Sequence, residues 1–503
     1  MNKNNSSVLI QSRRKFIRRS AIGLAVSLAP FSCFGFPNPF DWSKKFQFDV
    51  IVIGAGAAGL AAAVEAADAG ASVVVLEAAP KIGGNTLISG GFYSAVDSKR
   101  QTQQGVEDSK ELFFEQTFTF GGEHADQELV RHLVEHATEG LEWLEKLGQH
   151  FKPEVFELYG AHWTRSHIPV LPLGYGYIRT LSGAALSRGV QIKVEHLVKD
   201  FTVKNGTVTG VLVETEGGRH EFKADKGVIV ASGSFAANNE LVKQFAPRLS
   251  DLTTNNTPYS TGEVMMAAQK IGAQLVDMEY IQCLPGCPKG KKYRVRFHND
   301  VSSFIFLDHD GKRFIREDAP RDELRDSVIA LPQGYAYTLI DGVGFKKAGI
   351  LVQKEAVLAL EGGEAWRADT VGELAKKLGM IEKLGMQPEI LEKTVEEYNE
   401  GVISCNDRLG KKITPQTLEI KKPPFWAAYA GMTLHYTEGG LKINKKAQVL
   451  DKENKPIKGL YAAGTVTGGI HGKNRLGGNG LADAIVFGRT AGQQVVLNTK
   501  SKD

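Results

Sequence analysis

Apolar residues follow two different periods along this chain. Short runs rich in Val and Ile, at 48–53, 73–76 and 227–231, are bounded by turn residues, which predicts buried parallel strands. Residues 106–147 instead carry apolar side chains at helical spacing, which predicts a pair of helices packed on the sheet. The helical positions are Leu129, Leu133, Ala137, Leu141 and Leu144. Strands and helices in this order indicate an α/β fold.

The character of the sequence changes after Gln282 and again at His435. Residues 283–434 contain short strands and three predicted helices, which indicates an α+β unit. Those helices are expected near 354–361, 371–379 and 388–402. From 435 the chain returns to glycine-rich sequence and a last predicted helix. We therefore expect one α/β domain made of two separated parts, 41–282 and 435–503, with a capping domain, 283–434, inserted between them.

The first apolar run leads directly into a glycine motif. Gly54-x-Gly56-x-x-Gly59 follows the predicted strand and opens an Ala-rich predicted helix. Gly54 is suited to the tight turn, Gly56 to close approach of a pyrophosphate, and Gly59 to close packing of helix on strand. Glu77 ends the next strand 23 residues after Gly54, where its carboxylate can accept hydrogen bonds from ribose hydroxyls. The combination predicts a dinucleotide-binding site.

Residues 1–40 are predicted to be an export signal and not part of the fold. Ser12-Arg13-Arg14-Lys15-Phe16 precedes a moderately apolar run at 21–36, which is typical of a twin-arginine (Tat) signal. The run is too short, and too broken by Gly and Pro, for a convincing membrane span. The Tat route exports folded proteins, which suits a protein that must bind its cofactor first. We therefore expect a periplasmic protein with no membrane span in its mature form.

Composition restricts the possible partners. The net charge is only +4 over 503 residues, and no basic run with interleaved aromatics occurs, so nucleic-acid binding is not expected. The densest basic segment, 289–296, is interpreted as a solvated loop, with a docking surface or the rim of an anionic-substrate site as alternatives. Cys283 and Cys287 lack the further ligands of a zinc site, so no metal is expected. They are interpreted as thiols, with a disulfide as the alternative in an exported protein.

Further glycine-rich segments indicate FAD as the dinucleotide. Small residues at Gly83-Gly84-Asn85-Thr86 and Ser89-Gly90-Gly91 would let a second stretch of backbone lie along a long cofactor. With His435-Tyr-Thr-Glu-Gly-Gly and His471-Gly-Lys-Asn-Arg475-Leu-Gly-Gly-Asn, the chain resembles the soluble fumarate reductase/flavocytochrome c family of FAD enzymes, without a haem domain. The resemblance covers roughly residues 46–497. It implies non-covalent FAD in a two-part, Rossmann-like domain of the glutathione reductase type.

The residues expected to hold FAD lie in glycine turns after strands and at the start of the last helix. They are Gly54, Gly56, Ala57, Ala58, Gly59, Glu77, Ala78, Gly83, Gly84, Asn85, Thr86, Ser89, Gly90, Gly91, Gly233, Gly464, Gly478, Asn479 and Leu481. Gly233 and Gly464 each end a predicted strand, and in flavoproteins of this type such strands return the chain to the cofactor.

Arg321, His435 and Arg475 are the candidate catalytic residues. The planar fork of an arginine matches the two oxygens of a carboxylate, and Arg475 lies among glycines just before a helix. The resemblance implies that Arg475 and His435 bind the substrate carboxylate and that Arg321 donates a proton. The expected substrate site also includes Tyr436, Gly478 and Leu284.

The sequence departs from the family pattern at one end of that site. Gln282-Cys-Leu284-Pro-Gly stands where the family has Q-A-H-P-T, so Leu284 replaces the histidine that holds the second carboxylate of fumarate. The relay glutamate and arginine of the family align with Phe297 and Asp300. Three nearby residues could serve as replacement anchors, namely Arg294, Arg296 and His298. We expect reduction of a monocarboxylate acrylate, such as methacrylate, cinnamate or urocanate, ahead of fumarate.

Several alternatives stay open from the sequence. Fumarate reduction itself, a flavin dehydrogenase like the 3-ketosteroid dehydrogenases, and a non-catalytic flavin-binding module would each use the same fold. The chain contains neither a C-x-x-C-H haem motif nor a second clear nicotinamide fingerprint. Soluble members of the family that the chain resembles often carry haems in the same chain, so the resemblance implies a separate c-type cytochrome as the electron donor.

Overall fold

The computed structural model describes residues 44–497 except 159, 161, 383 and 384. The predicted export signal and Cys33 lie outside the described residues. Within that part of the chain, the strands are β1 (Lys44–Ile53), β2 (Val73–Leu76), β3 (Tyr93–Ser94), β4 (Phe151–Glu157), β5 (Thr164–Pro169), β6 (Gln191–Lys193), β7 (Leu197–Lys204), β8 (Thr207–Thr215), β9 (Gly218–Val230), β10 (Thr253–Thr254), β11 (Leu275–Val276), β12 (Ile281–Gly286), β13 (Phe304–Leu307), β14 (Tyr335–Ile340), β15 (Ala365–Ala368), β16 (Phe425–Thr437), β17 (Gly440–Lys442), β18 (Gln448–Leu450), β19 (Pro456–Ala462) and β20 (Thr467–Gly468).

The helices come from both halves of the chain. They are α1 (Ala57–Asp68), α2 (Gly84–Ile88), α3 (Ser98–Gln103), α4 (Lys110–Phe120), α5 (Gln127–Lys146), α6 (Tyr175–Ser187), α7 (Asn239–Phe245), α8 (Glu263–Lys270), α9 (Arg321–Ile329), α10 (Gly342–Lys347), α11 (Gly349–Glu361), α12 (Val371–Glu382), α13 (Pro388–Ile403) and α14 (Asn479–Leu497). Among the described residues, no helix combines the length and the apolar character that a membrane crossing requires.

The main sheet confirms the predicted α/β fold. Its eight strands run in the order β18-β19-β8-β9-β1-β2-β6, with β7 paired to β8. The three predicted parallel strands are β1, β2 and the end of β9, and β1 lies between the other two. β19, from the C-terminal part of the chain, extends the sheet in parallel beside β9. The first helical pair is present as α4 and α5, and all five predicted positions on α5 are buried.

The glycine motif has the steric roles that the sequence predicts. Gly54 has φ +106°, and a Cβ there would lie 2.3 Å from the Ala231 carbonyl oxygen. At Gly59 a Cβ would lie 2.0 Å from the carbonyl oxygen of Gly54. The first glycine is needed for a left-handed turn, and the third for contact between α1 and the turn itself.

A second apolar core lies within the region of the predicted insertion, and a second sheet lies mostly there, with β10 contributed by the preceding part of the chain. This six-stranded sheet is built on β16, with β10, β12, β14 and β15 against it and β13 beside β14. The second core cluster has Trp366, Leu374, Leu391 and Tyr398 among its buried members, and all of its members lie between residues 305 and 429. β12 and β16 both continue past the predicted boundaries, so they connect this sheet directly to the residues discussed next.

Candidate active site

A long cavity runs over the first glycine turn. It is lined by β1, α1, α2 and the segments that follow β2, β9 and β19. The predicted FAD residues that line it are Gly54, Gly56, Ala57, Ala58, Glu77, Ala78, Gly84, Asn85, Thr86, Gly233 and Gly464. A Cβ at Gly84 or Gly233 would meet no atom within 4 Å, so the backbone at these positions is open. This arrangement fits the extended, phosphate-containing half of FAD.

Glu77 lies in this cavity in a buried position. One of its carboxylate oxygens accepts from the Ala55 N–H at 2.8 Å and the other from the Ala79 N–H at 2.9 Å. These bonds fix the carboxylate at the end of β2. Each oxygen keeps a further lone pair that can accept from a ribose hydroxyl.

Eight predicted FAD residues lie outside the lining of this cavity. Gly59 packs against the turn, as described above, and Gly478 is closed by Ser94, whose Oγ would lie 2.2 Å from an added Cβ. Asn479 is fully buried, and its amide oxygen has no hydrogen-bond partner in the described part of the chain. The others are Gly83, Ser89, Gly90, Gly91 and Leu481. A role for these residues toward FAD stays a prediction.

Sequence reasoning missed a group of cavity residues. His196, Leu197 and Val198 line one side of the cavity, and the segment from Thr257 to Val264 lines another. The first three lie at the start of β7, with His196 just before it. None carries a local motif, because each reaches the cavity through its place in the sheet.

Arg321 and Arg475 meet at a single glutamine. Arg321 is the first residue of α9, Arg475 precedes α14, and both are buried. Gln282 Oε1 accepts from Arg321 Nη1 at 2.6 Å and from Arg475 Nη2 at 3.0 Å. The Gln282 amide nitrogen donates to Asn474 Oδ1 and to the Arg475 carbonyl oxygen, at 2.8 Å and 2.9 Å. A neutral side chain therefore holds two guanidinium groups side by side without cancelling their charge.

His435 lies beside this pair because of a β-bulge. β12 pairs Gln282 with Tyr436 and Cys283 with Leu434, so His435 is the extra residue in β16. Its Nδ1 lies 3.2 Å from Asn255 Oδ1. Burial lowers the pKa of His435 well below its ordinary 6.5, and the charges of Arg475 and Arg321 lower it further. The imidazole is therefore neutral before an anion binds.

The Tyr436 ring packs against the Arg475 guanidinium. The Arg475 guanidinium carbon lies 4.3 Å from the centre of the Tyr436 ring, a cation–π contact. The tyrosine hydroxyl donates to Asp483 Oδ2 at 3.1 Å, and His471 Nε2 lies 3.3 Å from the same oxygen. Tyr436 is thus a packing support for the Arg475 guanidinium.

The residues expected at the other end of the site are mixed in character. Leu284 is half-buried, and alternation along β12 places it on the same face as Gln282. Phe297 is buried and packs edge-on against Phe345. Asp300 is paired with Lys347 at 2.9 Å. Neither aligned position therefore carries a free group that could replace the relay of the family.

The basic segment 289–296 is only partly a solvated loop. Lys289 and Lys292 are exposed, but Arg294 and Arg296 are half-buried. The reason is that the next residues, Phe297 and His298, are in the core, and they draw this part of the segment inward. The prediction of a solvated loop is therefore wrong for Arg294 and Arg296.

Two of the three possible replacement anchors keep nitrogens available. Arg296 is bound by both carboxylate oxygens of Glu355. Arg294 Nε and both ring nitrogens of His298 have no hydrogen-bond partner among the described residues. Burial lowers the pKa of Arg294 to about 10, so this side chain stays charged at neutral pH. Its charge lowers the pKa of His298 and of His435, which places the three residues in one electrostatic neighbourhood.

Cys283 and Cys287 are free thiols in this structure. Burial raises the pKa of Cys283 to about 12 and that of Cys287 to about 11. Neither is therefore a thiolate at neutral pH.

Comparisons with known proteins agree with this geometry. Residues 49–481 match the family model of the FAD binding domain. A probable fumarate reductase of Shewanella frigidimarina is 35% identical over 459 residues, covering 90% of this chain and 75% of the relative. An acrylate reductase flavoprotein subunit of Shewanella woodyi is 32% identical over 501 residues, covering 95% of this chain and 97% of the relative.

A solved structure gives the same result. The open conformation of a flavocytochrome c3 fumarate reductase matches with a TM-score of 0.74 and 34% identity, covering 90% of this chain and 79% of that chain. Together with the glycine-turn cavity and the paired arginines, these matches identify both the cofactor and the class. The chain belongs to the soluble fumarate reductase/flavocytochrome c family of FAD-dependent oxidoreductases.

Proposed function

We propose that this protein reduces the C=C bond of an α,β-unsaturated monocarboxylate. The observation that supports it most is the pair of buried guanidinium groups, Arg321 and Arg475, joined through Gln282 beside His435. Two adjacent cations in a dry site suit one carboxylate, with their charge directed at the enolate that develops during reduction. Bound FAD supplies the hydride for the β-carbon.

The chain's own residues would perform the remaining steps. Arg475 and His435 hold the carboxylate, and an arriving anion favours protonation of His435. Arg321 donates a proton to the α-carbon. A guanidinium deprotonates only with difficulty, so this step requires exclusion of water and a resupply of protons.

The preference for a monocarboxylate follows from Leu284. An apolar β-substituent gains there, since each buried CH₂ contributes roughly 0.8 kcal/mol. A second carboxylate at this position loses its hydration without gaining a partner, which costs on the order of a few kcal/mol. Methacrylate, cinnamate and urocanate are therefore placed ahead of fumarate.

Fumarate is the second candidate because of Arg294 and His298. Both have nitrogens that find no hydrogen-bond partner in the part of the chain that the structure describes, and both lie in the electrostatic neighbourhood of His435. If these side chains reach the far end of the substrate, they provide the second anion contact that Leu284 does not.

Relative kcat/KM values for fumarate, methacrylate, cinnamate and urocanate under one reduced dye test this choice. We expect the monocarboxylates to be preferred, and Leu284→His to shift the preference toward fumarate. Leu284→Met is the matched control, because it keeps an apolar side chain of similar volume. A wild-type preference for fumarate of tenfold or more, about 1.4 kcal/mol in transition-state binding, would contradict the role of Leu284. Loss of that preference in Arg294→Ala or His298→Ala would then identify the replacement anchor.

The inserted region 283–434 is proposed to act as the cap of the site. It has its own apolar cluster and most of a second sheet, and Arg321 lies in it while Arg475 lies in the predicted FAD-binding part. A closed cap would keep the two arginines together, as they lie here on Gln282, and exclude water from the reacting atoms.

The protein is proposed to be exported through the Tat pathway and reduced by a separate small multihaem c-type cytochrome. Arg13 and Arg14 support the first part, and the Shewanella woodyi relative, named a flavoprotein subunit, supports a separate partner. We expect FAD-loaded protein in the periplasmic fraction, with export blocked by a double lysine substitution of Arg13 and Arg14. The purified protein is expected to accept electrons from a reduced c-type cytochrome. Efficient reduction by NADH alone would contradict the donor.

A further inference from the structure

Glu438 is a buried carboxyl group without a normal partner. It follows β16 and is 1% exposed, and neither carboxyl oxygen makes a hydrogen bond that meets geometric criteria within the described residues. It is the glutamate of the His435-Tyr-Thr-Glu-Gly-Gly segment quoted above. An unpaired buried carboxyl costs stability, so its presence here calls for a functional reason.

The backbone around Glu438 is held in place by a hydrogen bond and by close contacts with neighbouring backbone. The Glu438 N–H donates to the Tyr280 carbonyl oxygen at 2.9 Å. A Cβ at Gly439 would lie 2.3 Å from the Asp277 carbonyl oxygen, and one at Gly440 would lie 2.2 Å from that of Val466. Both glycines are therefore pressed against neighbouring backbone, and Glu438 is fixed two residues beyond Tyr436.

Four charged or polar groups from three elements determine the protonation of Glu438. Burial raises its pKa from the ordinary 4.5 to about 8, and the carboxylate of Asp483 on α14 acts in the same direction. The guanidinium groups of Arg475 and Arg321, with the nearby Arg475 backbone N–H, oppose the rise. At neutral pH the carboxyl keeps its proton, yet it lies within the influence of both site arginines.

Proton supply to Arg321 needs a group of this kind. The positions aligned with the family relay are Phe297, which cannot carry a proton, and Asp300, which is bound to Lys347. Gln282, which contacts Arg321 directly, does not titrate. Gln282, which accepts from Arg321, pairs across β12 and β16 with Tyr436, two residues before Glu438. Glu438 is therefore a titratable group close to this pair, and the charge of Arg321 lowers its pKa.

We propose that Glu438 resupplies the proton that Arg321 gives to the substrate, an inference that rests on the proposed enoate reduction. In each turnover a proton leaves an Arg321 nitrogen for the α-carbon while the β-carbon receives hydride. The O–H bond of Glu438 then breaks and an N–H bond re-forms on Arg321, directly or through one water. The Glu438 carboxylate finally recovers a proton from solvent. Glu438 does not contact the substrate; it acts only through Arg321, by returning a proton to that side chain.

Binding of the substrate carboxylate should itself favour the protonated form of Glu438. An incoming carboxylate partly cancels the charges of Arg321 and Arg475, which are the groups that hold the Glu438 pKa down. The pKa of Glu438 therefore rises further when the anion binds. At a pH near the unliganded pKa of about 8, binding should be accompanied by proton uptake from solvent.

The test uses oxidised holoenzyme, which binds an enoate but cannot reduce it. Cinnamate and methacrylate are added in weakly buffered solution near pH 8, with binding followed by the flavin spectrum and proton uptake by a pH-indicator dye. We expect wild type to take up more protons than Glu438→Gln, because only His435 can gain a proton on enoate binding in the variant. Turnover with a reduced dye should fall roughly 10²-fold in Glu438→Gln. In wild type we expect turnover to decline above about pH 8, because the Glu438 carboxyl is then ionised. In Glu438→Gln this decline should be absent.

Two further variants separate the relay from a structural role. Asp277→Asn removes a half-buried carboxyl whose pKa burial also raises, and it should leave proton uptake and the pH profile unchanged. Glu438→Met, which keeps the length of the side chain and removes the carboxyl, provides a second variant if Glu438→Gln folds poorly. Wild-type turnover in both Glu438 variants, or enoate binding without proton uptake in wild type, would overturn this inference alone. Failure of every enoate to bind would overturn the proposed function and this inference with it.

Discussion

Arg321→Ala is expected to lower the turnover of enoates by roughly 10²- to 10⁴-fold while FAD stays bound. The variant removes the proposed proton donor and one of the two guanidinium groups that Gln282 joins. The flavin should remain, because Arg321 is not part of the cavity lining around the glycine turn. The measurement is kcat and kcat/KM for cinnamate and methacrylate per bound flavin, with occupancy taken from the flavin absorbance.

Two arginine-to-lysine variants sharpen this result. Arg321→Lys keeps a positive charge but loses the planar fork, so carboxylate binding should survive better than turnover. Arg325→Lys is the matched control, since Arg325 lies one turn further along α9, is also buried, and bonds to Asp326 and the Ile281 carbonyl oxygen. It should change thermal stability more than kcat. Near-wild-type turnover of flavin-loaded Arg321→Ala would remove Arg321 from the mechanism.

The sequence predicts those parts of the fold that depend on local sterics. Gly54 and Gly59 are required by a turn and a packing contact within a few residues of each other, so spacing alone reveals their roles. The buried face of α5 follows in the same way from the period of its apolar residues. Arg475 could be found because it is embedded in a glycine-rich segment, and the structure does place it beside Arg321.

Residues whose role depends on partners far away in the sequence are much harder to predict. Gln282 was noted only as part of a segment that departs from the family pattern. Its role depends on α9 and on the segment before α14, 39 and 193 residues away in sequence. Glu438 is equally inconspicuous, because a glutamate in a polar-looking motif does not show that it will be buried without a partner. The inward turn of 294–298 is a third case, in which tertiary packing overrides local charge.

Gln282→Met is expected to lower kcat/KM by about 10²-fold, which corresponds to roughly 2.7 kcal/mol in transition-state stabilisation. Methionine keeps the length of the side chain but removes the oxygen that both arginines share and the two donations to Asn474 and the Arg475 carbonyl. Without that neutral bridge the two guanidinium groups repel each other and lose their fixed separation. An arginine pair that is displaced by even a small distance no longer fits the two oxygens of one carboxylate.

Loss of stability alone could mimic this effect, so the comparison needs a buried glutamine elsewhere. Gln101 is 1% exposed and joins Asp97, Asp108 and the Thr164 carbonyl oxygen, away from the site. Gln101→Met and Gln282→Met should each reduce the free energy of unfolding, on the order of 1–3 kcal/mol, because each leaves buried polar groups without partners. The kcat/KM of Gln101→Met per bound flavin should stay within about twofold of wild type, since surface and core changes away from the chemistry leave transition-state contacts intact. If both methionine variants lose stability equally and Gln282→Met keeps wild-type kcat/KM, the bridge between Arg321 and Arg475 is structural and the carboxylate must be held by other groups.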